Sequence, residues 1–450
     1  MLSRLRAWQH DPLLRGVVKN SSYLFSSHAL TAMLSFVQGI FAVRLLGVDG
    51  YGLVSGTVIT FASNVNRFLS FRMSEMVVRY FGQALTEGKH QRAAAIAKGV
   101  GLAEAATSLL AYLVLLSLSP WAARTFAKDP QAAPLFAVFG LSLLANGVYE
   151  TSRGILQATR RFDRLALINT TQSLLTAAMI LSAYLLEGGI WQVLAAYLLG
   201  KVFGGLAVAI SAAGQLNRSV GGGWWQAPLT GLSDWREMAK FALNTNLNGT
   251  VNLLVRDNAP LYLSALRPAA VAQSEVGYFK LALGIINLVM LPIEPFIWPT
   301  YAEITRTIAQ RQWQTTRRLL RRVSVIAAGW TFAAGGGLAA FGWWLIPLLY
   351  KSQSAPAYPA VVILLVGYGF ANILNWNRPL LLALGQPSFP LAVMALVGVF
   401  ELGLTFWLVP AGGYLVQAAI LSGYFVVSIG IIVWRGLLAL RQPEGEEHQP

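Results

Sequence analysis

Arg256, Arg67, Arg378 and Arg153 stand in stretches otherwise dominated by Leu, Ala, Val, Ile and Phe. A guanidinium stays protonated and presents a planar fork of donors that fits phosphate or carboxylate oxygens two at a time. A charged side chain near a bilayer centre costs at least about 2.5–3.5 kcal/mol, so arginines in such surroundings point to an anion-binding site. Arg153 has a second reading, as do Arg72 and Lys280: a long cation near the end of a span can snorkel its head to the lipid surface. Carboxylates stand beside these cations. Asp257 follows Arg256, Glu150 precedes Arg153 by three residues, and Glu294 sits among Pro292, Pro295 and Pro299. These three are the candidates for carrying a proton or Na⁺, although Glu150 and Arg153 also have the spacing of a simple intrahelical pair. Glu104 and Glu401, inside other apolar stretches, read as pairing within the protein.

Uncharged polar residues recur with helical spacing. Asn244, Asn248, Asn252 and Arg256 are each four apart, and Thr31, Ser35 and Gln38 follow Ser27 at four- and three-residue steps. Such spacing puts each set on one helix face. A polar stripe on a membrane helix faces either another helix, bonding across the contact, or water. The Asn stripe, ending in a cation, fits a hydrated cavity; the Ser/Thr/Gln stripe fits either.

Other chemistries are not written here. No phosphate-binding loop occurs, since Gly88-Lys89 lacks the upstream glycine and the following hydroxyl. The chain has no cysteine and only four scattered histidines, which speaks against a transition-metal centre or disulfides. No Ser/His/Asp constellation is defensible. The expectation is a protein without cofactor that is not an enzyme.

The elements that must hold these residues are membrane helices. Of the 450 residues, 55% are hydrophobic and 12% charged, against about 25% charged in soluble domains. The apolar residues fall into about twelve runs of the length that crosses a ~30 Å hydrocarbon core. They lie near 21–46, 50–72, 93–119, 133–157, 164–187, 190–214, 240–266, 275–301, 323–350, 357–384, 388–411 and 413–436. Connections alternate in charge: Arg160, Arg161 and Arg164, or the run from Arg306 to Arg322, are on one side, and little beyond Arg44, Arg124, Lys128, Arg267 and Lys351 on the other. Under the positive-inside rule the basic side, with both termini, is cytoplasmic. The net charge of +15 is thus a topology signal, and no nucleic-acid partner is expected.

The second half repeats the first. Gly50-Tyr51-Gly52 matches Gly277-Tyr278-Phe279 at an offset of 227, and RGILQATRRFD from Arg153 matches RPLLLALGQPS from Arg378 at 225. An even number of spans per half makes the copies parallel, related by an axis along the membrane normal. The expected organisation is a lobe over 1–214 with a basic N-terminal segment, a linker over 215–239, a second lobe over 240–436 and a tail over 437–450. Within the linker, Asp234 and Glu237 have capping-box spacing for a helix beginning at Trp235.

The chain resembles the oligosaccharide flippases (Wzx-type, polysaccharide biosynthesis proteins) of the multidrug/oligosaccharidyl-lipid/polysaccharide exporter superfamily. The likeness is clearest in RLLGVDGYGLVSG from Arg44 to Gly56, and recurs in LIPLLYKSQSAPAYPAVVILLVG, LLLALGQPSFPLAV and LVPAGGYLVQAAI. It implies an all-α polytopic membrane protein of about twelve transmembrane helices in two parallel six-helix lobes, a V-shaped exporter. The implied substrate is a polyprenyl-diphosphate-linked oligosaccharide, moved to the outer leaflet of the cytoplasmic membrane for surface polysaccharide such as O-antigen or exopolysaccharide. Spans one, two, seven and eight would line the cavity. Arg256, Arg67, Arg378 and Arg153 would hold the diphosphate, and Asn244, Asn248, Asn252, Gln38, Ser35 and Thr31 the sugars. Glu294, Glu150 or Asp257 would serve any coupling ion. The implied partners are the lipid-linked substrate, the membrane and other polysaccharide-assembly proteins, with the carrier itself a monomer. A proton- or sodium-coupled antiporter of organic cations is the alternative with the same fold; it calls for an acidic residue in the first span, and 21–46 contains neither Asp nor Glu.

Overall fold

A computed structural model describes residues 12–69, 73–229 and 235–440. Among these residues the secondary structure is helix and turn, with no strand. In lipid a backbone must satisfy its own N–H and C=O groups, and the helix does so within one segment.

The first part of the chain folds as α1 (Pro12–Tyr51), a π turn (Gly52–Val58), α2 (Ile59–Leu69), α3 (Met73–Thr86), α4 (His90–Ala122), α5 (Ala133–Ala145), α6 (Tyr149–Ala158), α7 (Phe162–Leu185) and α8 (Ile190–Ser219). The second continues as α9 (Trp235–Asn252), a π turn (Leu253–Asp257), α10 (Ala259–Leu266), α11 (Ala269–Met290), α12 (Ile297–Ala309), α13 (Trp313–Tyr350), α14 (Ala357–Ile373), α15 (Asn377–Ala383) and α16 (Ser388–Ala439).

Eight stretches among the described residues are long and apolar enough to cross a membrane, or nine if the bent pair Ala269–Met290 and Glu294–Ala309 counts as one. That is fewer than the expected twelve, for identifiable reasons. Ser26–Leu69 and Ser388–Ala439, of 44 and 52 residues, far exceed the ~20 that one crossing needs. Each is interrupted by a non-helical glycine, Gly47 (φ 74°) and Gly413 (φ 66°), close to where the apolar runs break in sequence. The segment from Trp235 to Leu266 is not among the eight because Asn, Thr and Arg dilute its apolar content.

Compactness divides the chain into Met1–Leu45 with Val58–Thr250, and Leu46–Thr57 with Val251–Pro450. The first unit reaches beyond the expected linker because Met238 and Phe241 join its core. That core packs Val77, Phe81, Ile96, Leu156 and Leu216 from α3, α4, α6 and α8. α9 is described from Trp235 onward, and Asp234 of the expected capping pair lies outside the described residues. Glu237 meanwhile accepts the Tyr80 hydroxyl at 3.1 Å and lies 3.8 Å from Arg79, tying the start of α9 to α3.

The second unit takes in 46–57, a segment from the first half of the sequence. Its glycines permit a backbone-to-backbone approach to α11. A Cβ at Gly52 would collide with the carbonyl oxygen of Gln273, and one at Gly277 with the carbonyl oxygen of Val48. Thr57 Oγ1 donates to Gln273 Oε1 at 3.1 Å beside this crossing. Gly52-Leu-Val-Ser-Gly56 is thus a small-residue helix contact of the kind that packs membrane helices.

Both units contain a broken helix at the same stage. α5 and α6 are separated by a turn at 146–148, and α14 and α15 by one at 374–376. The breaks lie near the repeat offset and follow corresponding spans.

Candidate functional site

In the first unit, the Ser/Thr/Gln stripe of α1 divides between packing and exposure. Ser27 Oγ donates to the Ala166 carbonyl at 3.0 Å and lies 3.2 Å from Thr170 Oγ1, while Gln38 Nε2 donates to the Ser173 carbonyl at 2.8 Å. All three partners are on α7, so both ends of the stripe serve helix–helix contact. Thr31 Oγ1 is buried with no hydrogen-bond partner among the described residues, and Ser35 is exposed. Arg67 is exposed in the last turn of α2, one turn beyond the buried Asn64.

Glu150 and Arg153 form the intrahelical pair their spacing allowed, 3.7 Å apart at the start of α6. Glu150 also accepts the Ser74 hydroxyl at 2.6 Å. The broken fourth span explains the neighbouring Glu104. Its carboxylate receives the backbone N–H groups of Glu150 and Thr151, both at 2.8 Å. A helix that restarts inside a membrane exposes unpaired N–H groups. Glu104, 1% exposed, answers two of them. It pairs with backbone rather than with a cation.

The division between the units falls within α9, after Thr250, and the end of the helix runs into the π turn of the second unit. The side chains of Asn244 and Asn248 lie outside the described residues; Asn252 is half-buried at the end of α9. The turn is closed by the Asn258 N–H bonding back to the Leu253 carbonyl at 3.0 Å, which leaves the Leu254 carbonyl for the Tyr262 hydroxyl at 2.8 Å. Arg256 projects from this widened turn. Its Nε donates to Asp257 Oδ1 at 2.8 Å, and its side chain is 44% exposed against 18% for Asp257. One edge of the guanidinium is therefore held by a carboxylate, and the group retains access to an incoming anion.

Beyond the π turn lies a buried polar group around Glu401, which in sequence reads as pairing within the protein. Gly398 lets α16 pack onto Val255 of the π turn, and Glu401 follows one turn later, 2% exposed. Glu401 Oε1 receives only a long contact from Thr405, at 3.4 Å, and its Oε2 has no hydrogen-bond partner among the described residues. Neither polar atom of Gln417 has one, nor does the hydroxyl of Tyr424, and both residues are buried. An unanswered buried polar atom costs about 1–3 kcal/mol, so several together call for a water, a proton or an ion. The available signal was a glutamate inside an apolar run with a glutamine on the next helix.

The remaining candidates are dispersed. Arg378 is exposed on α15 and makes no ion pair or hydrogen bond among the described residues; Glu294 is exposed in the turn between α11 and α12. Neither forms a hydrogen bond or ion pair with Arg256 or Asp257 among the described residues. A tighter pair, missed in the sequence, ties α11 to the turn in α16. Arg267 meets Glu275 through two hydrogen bonds of 2.9 and 2.7 Å and donates to the Pro410 carbonyl at 2.6 Å, while Glu275 accepts the Tyr414 N–H at 3.1 Å.

The family described as polysaccharide biosynthesis protein matches residues 17–304, more than half of the chain. Inner membrane protein YghQ of Escherichia coli (strain K12) is 25% identical over 188 residues, covering 41% of this chain and 52% of that protein. The chain thus spans about half the length of this curated relative. Among solved structures, the inward-facing conformation of a multidrug resistance MATE family transporter of the MOP superfamily superposes with a TM-score of 0.69 at 15% identity, covering 92% of this chain and 96% of that one. Lipid II flippase MurJ in an inward closed conformation gives 0.69 at 14%, with 95% and 93% covered. At such identities the likeness is one of fold, that of an all-α polytopic membrane protein.

Proposed function

The chain belongs to the polysaccharide biosynthesis protein family, and we propose that it is a flippase for a polyprenyl-diphosphate-linked oligosaccharide. On this reading it carries the lipid-linked sugar from the inner to the outer leaflet of the cytoplasmic membrane by alternating access. The observation that carries the reading is Arg256, a part-exposed arginine on a π turn that interrupts a polar membrane helix. π turns inside helices are often functional, and this one turns a fork of donors out of the helix. The diphosphate would bind the Nη edge of Arg256 while Asp257 holds the Nε edge. Asn252 offers donors and acceptors to sugar hydroxyls, and the four-residue spacing in the sequence nominates Asn248 and Asn244 for the same task. An inside-negative potential favours outward passage of a negative group by about 2.3 kcal/mol per charge per 100 mV. Asp257 is the favoured coupling carboxylate among Asp257, Glu150 and Glu294, since it contacts the proposed anion ligand directly. The termini and the basic connections are assigned to the cytoplasm.

The test is leaflet exchange in liposomes. Purified protein is reconstituted with a fluorescent prenyl-diphosphate oligosaccharide, and exchange is compared for wild type, Arg256→Ala and Arg256→Lys. Protein-dependent exchange that falls at least ten-fold in the Ala variant and partly recovers in the Lys variant supports the assignment. Exchange indifferent to both would keep a flippase but remove Arg256 from its site. Absent exchange of lipid-linked sugars together with export of a cationic dye would replace the reading by the antiporter.

A further inference from the structure

The first three turns of α13 carry Arg317, Arg318, Arg321 and Arg322, all exposed. Their spacing of one, three and four residues puts them on one helix face. The opposite face is core: Thr316 and Leu320 are buried, and Leu320 packs with Ile304, Trp376, Leu380 and Leu440. Arg317 is anchored, donating to the Leu440 carbonyl at 2.5 Å. Arg318, Arg321 and Arg322 have no ion pair among the described residues, and the nearby acidic Glu303 on α12 is already paired with Arg306.

The rest of α13 fixes the depth of this face. Every exposed residue between Arg322 and Trp343 is apolar, including Val325, Ile326, Phe332 and Phe341. That stretch rises roughly 31 Å at 1.5 Å per residue, which matches a ~30 Å hydrocarbon core. It ends at exposed Trp343 and Trp344, residues suited to the opposite interface. The arginines therefore sit at headgroup level, on a face continuous with the surface that lipid covers. The helix in the corresponding place of the first unit, α4, carries no such face: its residues 93–97 are four alanines and an isoleucine, all buried. Topology alone does not explain the cluster, since α4 is oriented by Lys89, Arg92 and Lys98 without one.

We propose that Arg318, Arg321 and Arg322, with Arg317 positioning them, form a binding site for anionic phospholipid headgroups of the cytoplasmic leaflet. Three guanidinium forks with no ion pair among the described residues match the phosphate of a headgroup, and the apolar strip above them takes the acyl chains. The site is separate from the Arg256 group and its test involves no transport.

The full chain in detergent is titrated with phosphatidylglycerol and with phosphatidylcholine of the same acyl chains, and bound lipid is counted by native mass spectrometry. Wild type is expected to prefer the anionic lipid by at least ten-fold. A basic residue at a membrane surface is worth about five-fold in affinity, so Arg318→Gln/Arg321→Gln/Arg322→Gln should abolish the preference. The corresponding triple Lys variant should retain most of it, which excludes misfolding as the cause of a loss. Equal binding of the two lipids, or a preference unchanged in the Gln variant, overturns the proposal. So does displacement of the anionic lipid by submillimolar pyrophosphate alone, which would make the face a site for soluble phosphates.

Discussion

Glu104 and Glu401 are both glutamates inside membrane helices, and they differ in what their oxygens touch. Glu104 accepts two backbone N–H groups at 2.8 Å, whereas Glu401 has one hydroxyl contact at 3.4 Å and an unanswered Oε2. Replacing Glu104 by Gln turns an acceptor into a donor facing an N–H, at a cost of about 1–3 kcal/mol. Glu401→Gln removes a poorly compensated carboxyl and should leave stability unchanged or higher. Thermal unfolding in nanodiscs checks the pair: a large fall in Tm for Glu104→Gln beside none for Glu401→Gln is expected, and equal falls would contradict the contrast. The Arg267–Glu275 pair gives a third case, with side chains only 16% and 11% exposed. Removing one partner of a buried pair strands the other, at about 3–5 kcal/mol. Glu275→Ala should therefore destabilise more than the double variant with Arg267→Ala, in which no charge is left unpaired.

At the scale of elements, the sequence displayed periodicity well and partners poorly. Ser27, Thr31, Ser35 and Gln38 do share the spacing of one face, yet Ser27 and Gln38 are bonded to α7, more than 130 residues away, while Ser35 is exposed. Spacing identifies a face; only the packed neighbour decides whether that face meets protein or water. The breaks between α5 and α6 and between α14 and α15 were illegible because hydropathy continues through them, and the signal is a handful of Asn and Gly residues. The Gly-Tyr-Gly and Gly-Tyr-Phe anchors were legible as a repeat, and the structure adds why glycine recurs there: the two copies approach each other at backbone distance. Gly52→Ala should accordingly force α11 to shift, costing about 1–3 kcal/mol by overpacking. Gly214→Ala in α8, where the new methyl meets nothing within 4 Å, should stabilise by up to about 1 kcal/mol. Opposite signs in the same unfolding assay are the expected result, and a harmless Gly52→Ala would mean that the crossing is looser than its geometry.

For the whole molecule, the duplication and the division into compact units do not coincide. The chain passes between units after Leu45, after Thr57 and after Thr250. Two of these passages fall in or next to π turns, Gly52–Val58 and Leu253–Asp257. A π turn replaces the regular ladder with wider bonds and leaves carbonyls to be met by side chains, as Leu254 is met by Tyr262. If the protein works as proposed, backbone change would be concentrated in a few residues, and these two turns lie in or next to the places where the chain passes between units. Hydrogen exchange of the reconstituted protein should therefore be faster over 52–58 and 251–257 than over the flanking helices, because opening there breaks fewer regular bonds. Adding a lipid-linked oligosaccharide should change protection at both turns together if they serve one motion. Turns as protected as α4 or α8, or a response confined to one of them, would place the bending elsewhere in the chain.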